Sequence, residues 1–260
     1  MNDPEHSILH VVHSGRKNLL HSGQKRVKKG QEGRKCLRGL VLRDLSESSR
    51  SHAPIYPRTY PMTLPLILAS SSPIRAQMLS QAGVAFSTQP ARIDELAIRA
   101  AMLSEGATPR DLADALAEFK ARKVADKRPE AMVIGCDQVL ELNKAVLGKP
   151  STMAEARDQM RALSGQVHRL LSAVVVYEAG KPVWRHVGVV QMHMRLLSDK
   201  YIDDYLDRNW HSVCHSVGAY KLEEEGVRLF SRVEGDYFTV LGLPLIDLLS
   251  YLTVKGILPT

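Results

Sequence analysis

The sequence predicts an α/β fold on three observations. From Leu64 onward, segments of strand-like and helix-like patterning alternate. The apolar run Leu66-Ile-Leu-Ala69 breaks into Ser70, Ser71, Ser72 and Pro73, which marks a strand feeding straight into a helix. Ala131-Met-Val-Ile-Gly135 is an unbroken apolar run, as expected of a buried strand.

Taken in order, a strand over 65–69 leads into a helix over 73–82. Ser72 is its expected N-cap, Pro73 suits the first helical position, and Gly83 stops it. A short strand follows over 84–88, and Asp94-Glu95 falls in an irregular stretch. A longer helix starts after Thr108, where Pro109 and the Thr108/Asp111 spacing make a capping box, and runs to about 126 with Leu112, Leu116, Phe119 and Val124 inward. The buried strand at 131–135 ends just before Asp137. A small hairpin is expected around Asn143-Lys144, with arms 139–142 and 145–147. Thr152 and Glu155 form a capping box for a helix ending at Ser164-Gly165. Two Val-rich strands, 167–177 and 183–197, turn at Ala179-Gly180-Lys181. A helix over 199–206 capped by Ser198, a strand over 228–233 and a final helix over 244–254 complete the chain.

With 260 residues and 44% apolar content the chain can build a sizeable core. Its net charge of +7 suggests a nucleic-acid binder until it is divided: residues 1–61 carry 12 Lys/Arg against 5 Asp/Glu, whereas 62–260 hold 23 of each. The domain expected over 62–260 is therefore formally neutral, which argues against a specific nucleic-acid partner. Residues 1–61 read as a basic, disordered extension with too little apolar surface to fold. Three cysteines without paired spacing suit a reducing, cytoplasmic compartment. No apolar run reaches the length of a membrane span.

The serine turn is a phosphate-sized pocket. A helix N-terminus offers free N–H groups and partial positive charge, Ser70 and Ser72 add hydroxyls, and Arg75 can fork onto phosphate oxygens. Asp137, at the expected end of a central strand, can ligand a metal or accept a proton from water; an Asp capping a turn is the plainer alternative. Lys149 in Gly-Lys-Pro and Lys120 add cations suited to a polyphosphate and its metal. Glu95 is either a further metal ligand or a solvated loop charge. His211-Ser-Val-Cys-His215 lacks the further ligands of a zinc site, Cys136 reads as packing, and His168 and His193 read as structural.

These pieces resemble the Maf-like nucleoside triphosphate pyrophosphatases over about 64–258. The resemblance rests on Leu68-Ala-Ser-Ser-Ser-Pro-Ile-Arg75, Asp94-Glu95, Phe119-Lys-Ala121, Gly135-Cys-Asp-Gln-Val139, Gly148-Lys-Pro150, Leu163-Ser-Gly165 with His168, Gly218-Ala-Tyr220, and Glu234-Gly-Asp-Tyr237 running into Val240-Leu-Gly-Leu-Pro244. It implies a mixed α+β, two-lobed fold with a central cleft, related to the inosine triphosphate pyrophosphatases. It also implies hydrolysis of a nucleoside triphosphate to the monophosphate and pyrophosphate with Mg²⁺ or Mn²⁺. Asp137 takes the place of the family's base, Ser70, Arg75, Lys120 and Lys149 those of its phosphate contacts, and Glu95 that of its acid after the second strand. The expected metal-binding pair is Glu95 and Asp137.

The chain departs from the family pattern at three positions. Ile74 stands where members usually have an arginine, and Gln138 in Asp-Gln-Val resembles the subgroup acting on 7-methyl-GTP. Glu223 follows Gly-Ala-Tyr where other members have glutamine; it can accept from a guanine edge or be a solvated charge. The expected partner is the triphosphate, with no membrane partner and a homodimer left open. The rival function is a non-catalytic, nucleotide-binding regulator of cell division and septum formation.

Overall fold

The computed structural model describes residues 64–259, so the basic extension expected over 1–61 lies outside the described residues. β1 (Leu66–Leu68) pairs in parallel with β2 (Ser87–Thr88) on one side and with β3 (Met132–Leu142) on the other. The rest of the sheet is antiparallel: β3 with β5 (Val167–Glu178), β5 with β6 (Lys181–Met194), and β6 with β7 (Phe230–Glu234). β4 (Ala145–Leu147) folds back onto β3, and the sheet order is β2-β1-β3-β5-β6-β7.

β3 corrects one expectation. The strand at 131–135 and the hairpin arm at 139–142 are one strand of 11 residues, so Asp137 sits in its interior and not at its end. The reason is β5, which pairs with β3 continuously from Val133 to Glu141. Asn143 and Lys144, with φ of 50° and 70°, make the expected two-residue turn into β4.

Helices cover both faces. α1 (Pro73–Gln81) starts at Ser72 as expected, but the Ser72 side chain makes no capping bond. α2 (Glu95–Ser104) replaces the expected irregular stretch, with Asp94 accepting from the Ala97 N–H as its N-cap. It has no fully buried residue, and only Ile98 and Met102 rest half-buried on the core. α3 (Pro109–Ala125) has the full Thr108/Asp111 capping box. At α4 (Met153–Leu163) only half the expected box forms: Thr152 accepts from the Glu155 N–H, whereas the Glu155 carboxylate takes the Ser151 N–H and hydroxyl. α5 (Asp199–Val213) runs seven residues past its expected end. α6 (Tyr237–Val240) is a single turn, and α7 (Leu245–Val254) closes the chain.

Side-chain alternation along β3 sorts the core. Val133 and Val139 pack under α3 with Leu112, Leu116 and Val124. Met132, Ile134 and Cys136 face the other way, onto Met78 and Leu79 of α1 and Leu245, Leu248 and Leu252 of α7. Leu140 and Leu142 carry the sheet into a second lobe with Met160 of α4 and Ile202, Tyr205 and Leu206 of α5. Gly135 is where α3 crosses β3 most closely. A Cβ there would lie 2.2 Å from the Ala117 carbonyl oxygen and 2.6 Å from the Ala121 nitrogen, so only glycine lets the helix dock at this depth.

The second lobe contains a buried pH-sensitive group. His168 is 1% exposed, its Nε2 lies 2.7 Å from the Tyr220 hydroxyl, and its Nδ1 is buried without a partner. Burial pushes its pKa down to about 4. The unfolded chain takes up this proton near pH 6.5 while the folded chain resists it, so stability falls as pH drops from about 6.5 to 4. That interval is expected to cost up to about 3 kcal/mol, at about 1.4 kcal/mol per pKa unit. Thermal melts of wild type and His168→Gln across it test the point: the variant should lose much less stability on acidification, and parallel curves would refute the assignment.

Candidate active site

The site arises from an open stretch of strand edge. Since β5 occupies one edge of β3, β1 and β4 must share the other. β1 leaves that edge after the Ala69 N–H donates to the Ile134 carbonyl, and β4 joins it only from Leu140 onward. Between them the edge of Cys136, Asp137 and Gln138 has no strand partner among the described residues. The serine turn leaves β1 on one side of this opening. On the other, β4 ends at Leu147, paired with Leu140, and Gly148 and Lys149 follow it directly. This is a mixed-sheet version of the crevice at which open α/β sheets hold ligands.

Asp137 projects under α3, where Lys120 meets it: Nζ donates to Asp137 Oδ1 at 2.6 Å and lies 2.8 Å from Glu95 Oε1. Asp137 and Lys120 are buried and Glu95 is half-buried. Burial alone would lower the Lys120 pKa, but the charge and hydrogen bond of Asp137, followed by those of Glu95, leave it raised and the ammonium secure. Burial alone would raise the Glu95 pKa. The Lys120 hydrogen bond and charge, with Lys149 and Arg75 adding to the field, instead hold it below the ordinary carboxylate range. Asp137 Oδ2 is buried and has no hydrogen-bond partner among the described residues. One oxygen is thus fixed and the other is free to accept.

Arg75 fills part of the open edge. Its Nη1 donates to the Cys136 carbonyl at 3.0 Å and to Ser70 Oγ at 3.4 Å, while its Nε is buried with no partner. Ser70 Oγ also accepts from the Ser72 N–H at 3.2 Å, which shapes the turn. Gly242, absent from the expected set, is part of this arrangement. Its φ is +94°, and a Cβ there would lie 2.9 Å from Arg75 Nη2 and 3.0 Å from Nε. The sequence signal was the glycine of Gly-Leu-Pro. Gly242→Ala is expected to displace the guanidinium and raise KM several-fold with a smaller change in kcat; steady-state kinetics check it, and an unaltered KM would contradict the contact.

Gln138 faces away from Asp137. Its Nε2 donates to Ser172 Oγ at 3.0 Å, the Thr239 carbonyl at 3.2 Å and the Val240 carbonyl at 2.9 Å, tying β3 to α6. Lys149 is exposed and reaches the group through its charge on Glu95. Glu223 is exposed in the second lobe, where its charge acts on Tyr205 beside those of Glu224 and Glu225. The structure therefore gathers Ser70, Ser72, Arg75, Glu95, Lys120, Asp137 and Lys149, and sets Gln138 and Glu223 apart from them.

The residues fit a divalent cation in one specific way. Among the described residues no group of three or more His, Cys, Asp or Glu side chains could hold a metal ion. Two carboxylates nevertheless converge on one cation, and Asp137 Oδ2 is an unused buried oxygen. Mg²⁺ is commonly bound by one or two carboxylates with substrate phosphates completing its shell, and this donor set suits that mode. No helix among the described residues is long and apolar enough to cross a membrane.

The family described as Maf-like protein matches residues 65–254. The nucleoside triphosphate pyrophosphatase of Roseobacter denitrificans is 61% identical over 198 residues, covering 76% of this chain and 100% of the relative. A protein of the same name from Ruegeria pomeroyi is 57% identical over 199 residues, 76% of this chain and 100% of the relative. The 7-methyl-GTP pyrophosphatase of Brucella abortus is 48% identical over 191 residues, 74% of this chain and 96% of the relative.

Proposed function

The chain belongs to the Maf-like protein family, and from that membership we propose that it hydrolyses a nucleoside triphosphate between its α and β phosphates. As a nucleoside triphosphate pyrophosphatase it is a hydrolase of acid anhydrides. The observation that carries the mechanism is the asymmetry of Asp137: Oδ1 bound by Lys120, Oδ2 buried and unpartnered.

In this reading Asp137 Oδ2 accepts a proton from the attacking water. A bond forms between the water oxygen and the α-phosphorus, the bond from that phosphorus to the α–β bridging oxygen breaks, and its electron pair leaves with pyrophosphate. Ser70, the Ser72 turn and Arg75 hold the phosphate chain on the open side of β3, while Lys120 and Lys149 balance charge on the leaving pyrophosphate. Glu95, together with phosphate oxygens, would hold Mg²⁺ or Mn²⁺, which when bound neutralises phosphate charge and polarises the phosphoryl group; Asp137 would ligand the metal only in place of acting as the base. Lys120 holds both carboxylates in place and favours the ionised form of Glu95.

The base is the finer question. Relatives from Brucella carry the name 7-methyl-GTP pyrophosphatase, and Gln138, whose amide anchors the Thr239–Val240 backbone, would shape the base pocket indirectly. Glu223 is the second candidate for reading a guanine edge. Pyrophosphate release from a panel of standard and methylated triphosphates tests both activity and preference. Metal-dependent nucleotide binding with no turnover of any of them would replace this reading by that of a nucleotide-binding regulator. Lys149→Ala is expected to lower kcat/KM about tenfold or more through loss of a charge-assisted phosphate contact; an unchanged value would remove Lys149 from the site.

A further inference from the structure

We propose that the concavity between the 89–94 loop and the C-terminal end of α3 binds a small multivalent oxyanion of the inorganic phosphate and pyrophosphate class. The concavity is about 200 Å³ in volume, is floored by Val124, and is walled by Gln89, Arg92, Lys123 and Lys127. Sites for drug-sized molecules run to about 300–1,000 Å³, so this one suits an anion of a few heavy atoms and not a whole nucleotide.

The charge pattern points to the ligand. The neighbouring cations have carboxylate partners: Arg122 lies 4.0 Å from Asp126 and Arg128 2.6 Å from Glu130, with Arg128 also donating to Gln89. Among the described residues Arg92, Lys123 and Lys127 have no carboxylate within ion-pair distance, and all three line the same hollow. Lys123 complements the dipole at the end of its helix, but that accounts for neither Arg92, which comes from a separate loop, nor Lys127, which lies beyond the helix end. The three exposed cations come from two separate segments and line one hollow, where an oxyanion can accept hydrogen bonds from all of them.

The hollow also has a route to the active site. The 89–94 loop leads directly into α2 and Glu95, and α2 rests on the core only through the half-buried Ile98 and Met102. α3 carries Lys120, the partner of Glu95. An anion spanning Arg92 and the two lysines clamps the loop to α3 and so steadies the Glu95–Lys120 contact. Binding stands independently of the proposed hydrolysis; only its effect on Glu95 rests on that reading.

Calorimetric titration of inorganic pyrophosphate, and separately of inorganic phosphate, into the full chain tests this with wild type, Lys123→Ala/Lys127→Ala, Arg92→Ala and Arg75→Ala. Wild type is expected to bind two equivalents of pyrophosphate. The double-lysine variant should lose one while its hydrolysis without added anion stays within twofold of wild type. Arg92→Ala should weaken that same equivalent at least tenfold, and Arg75→Ala should lose the other. One equivalent in wild type and none in the double-lysine variant supports this site while removing pyrophosphate binding from the active site. If the lysine-dependent equivalent takes phosphate as well, free phosphate is a ligand; if it takes pyrophosphate alone, the ligand is the reaction product. A double-lysine variant that binds as wild type does, whether or not its melting temperature changes, overturns the proposal.

Discussion

Asp137→Asn is expected to lower kcat by about 10²–10⁴-fold, the range associated with loss of a general base, with KM and melting temperature close to wild type. Asparagine keeps the shape of the side chain, and its carbonyl oxygen can still accept from Lys120, which sits 2.6 Å from Oδ1 in the wild type. What is lost is the proton-accepting Oδ2, the buried oxygen without a partner. Steady-state and single-turnover measurements of pyrophosphate release separate chemistry from binding. Release at the wild-type rate would sink the assignment of Asp137, and a collapse in melting temperature would show that the loss was structural.

Lys120→Met is expected to abolish activity and to destabilise the protein by about 3–5 kcal/mol, the usual cost of removing one partner from a buried ion pair. Methionine fills similar volume, so little of the loss comes from a cavity. The cost arises because Asp137 and Glu95 would face each other with no ammonium between them. Two such carboxylates raise each other's pKa, so one takes up a proton as pH falls. A folded-state pKa above the unfolded value favours folding at low pH, so the variant should be most destabilised at pH 8 and recover part of the loss toward pH 5. The wild-type network behaves differently. Its lowered Glu95 contributes above the ordinary carboxylate range, and its raised Lys120 contributes until pH exceeds the ordinary lysine range. Chemical denaturation of both proteins at pH 5 and pH 8 measures this; equal losses at both would contradict a carboxylate pair held by Lys120.

The elements with local signatures were legible: the Thr108/Asp111 box, Pro73 at a helix start, the Asn143-Lys144 turn, and the Val-rich strands. Two features were not. α2 was passed over although Asp94 ahead of Glu95 was an N-cap signal in plain view and Ile98 and Met102, four apart, mark its inner face. β3 was read as two strands because Asp137 interrupts the apolar run, and only pairing with β5 carries the strand through it. Within the site, charge and motif order marked Ser70, Arg75, Glu95, Lys120, Asp137 and Lys149. The dependence of Arg75 on Gly242, 167 residues later in the chain, has no local pattern at all.

The sequence by itself determined the α/β class, the serine turn at the start of α1 and the residue types that gather around it, because capping, turn chemistry and residue type act over a few residues. The tertiary structure alone decided which charges meet. It leaves the edge of β3 open between β1 and β4, docks α3 on Gly135 so that Lys120 reaches Asp137, and turns Gln138 to the opposite face. The physical reason is that strand pairing and helix docking join residues far apart in the chain. A shift of one residue in register would turn Asp137 and Gln138 to each other's faces.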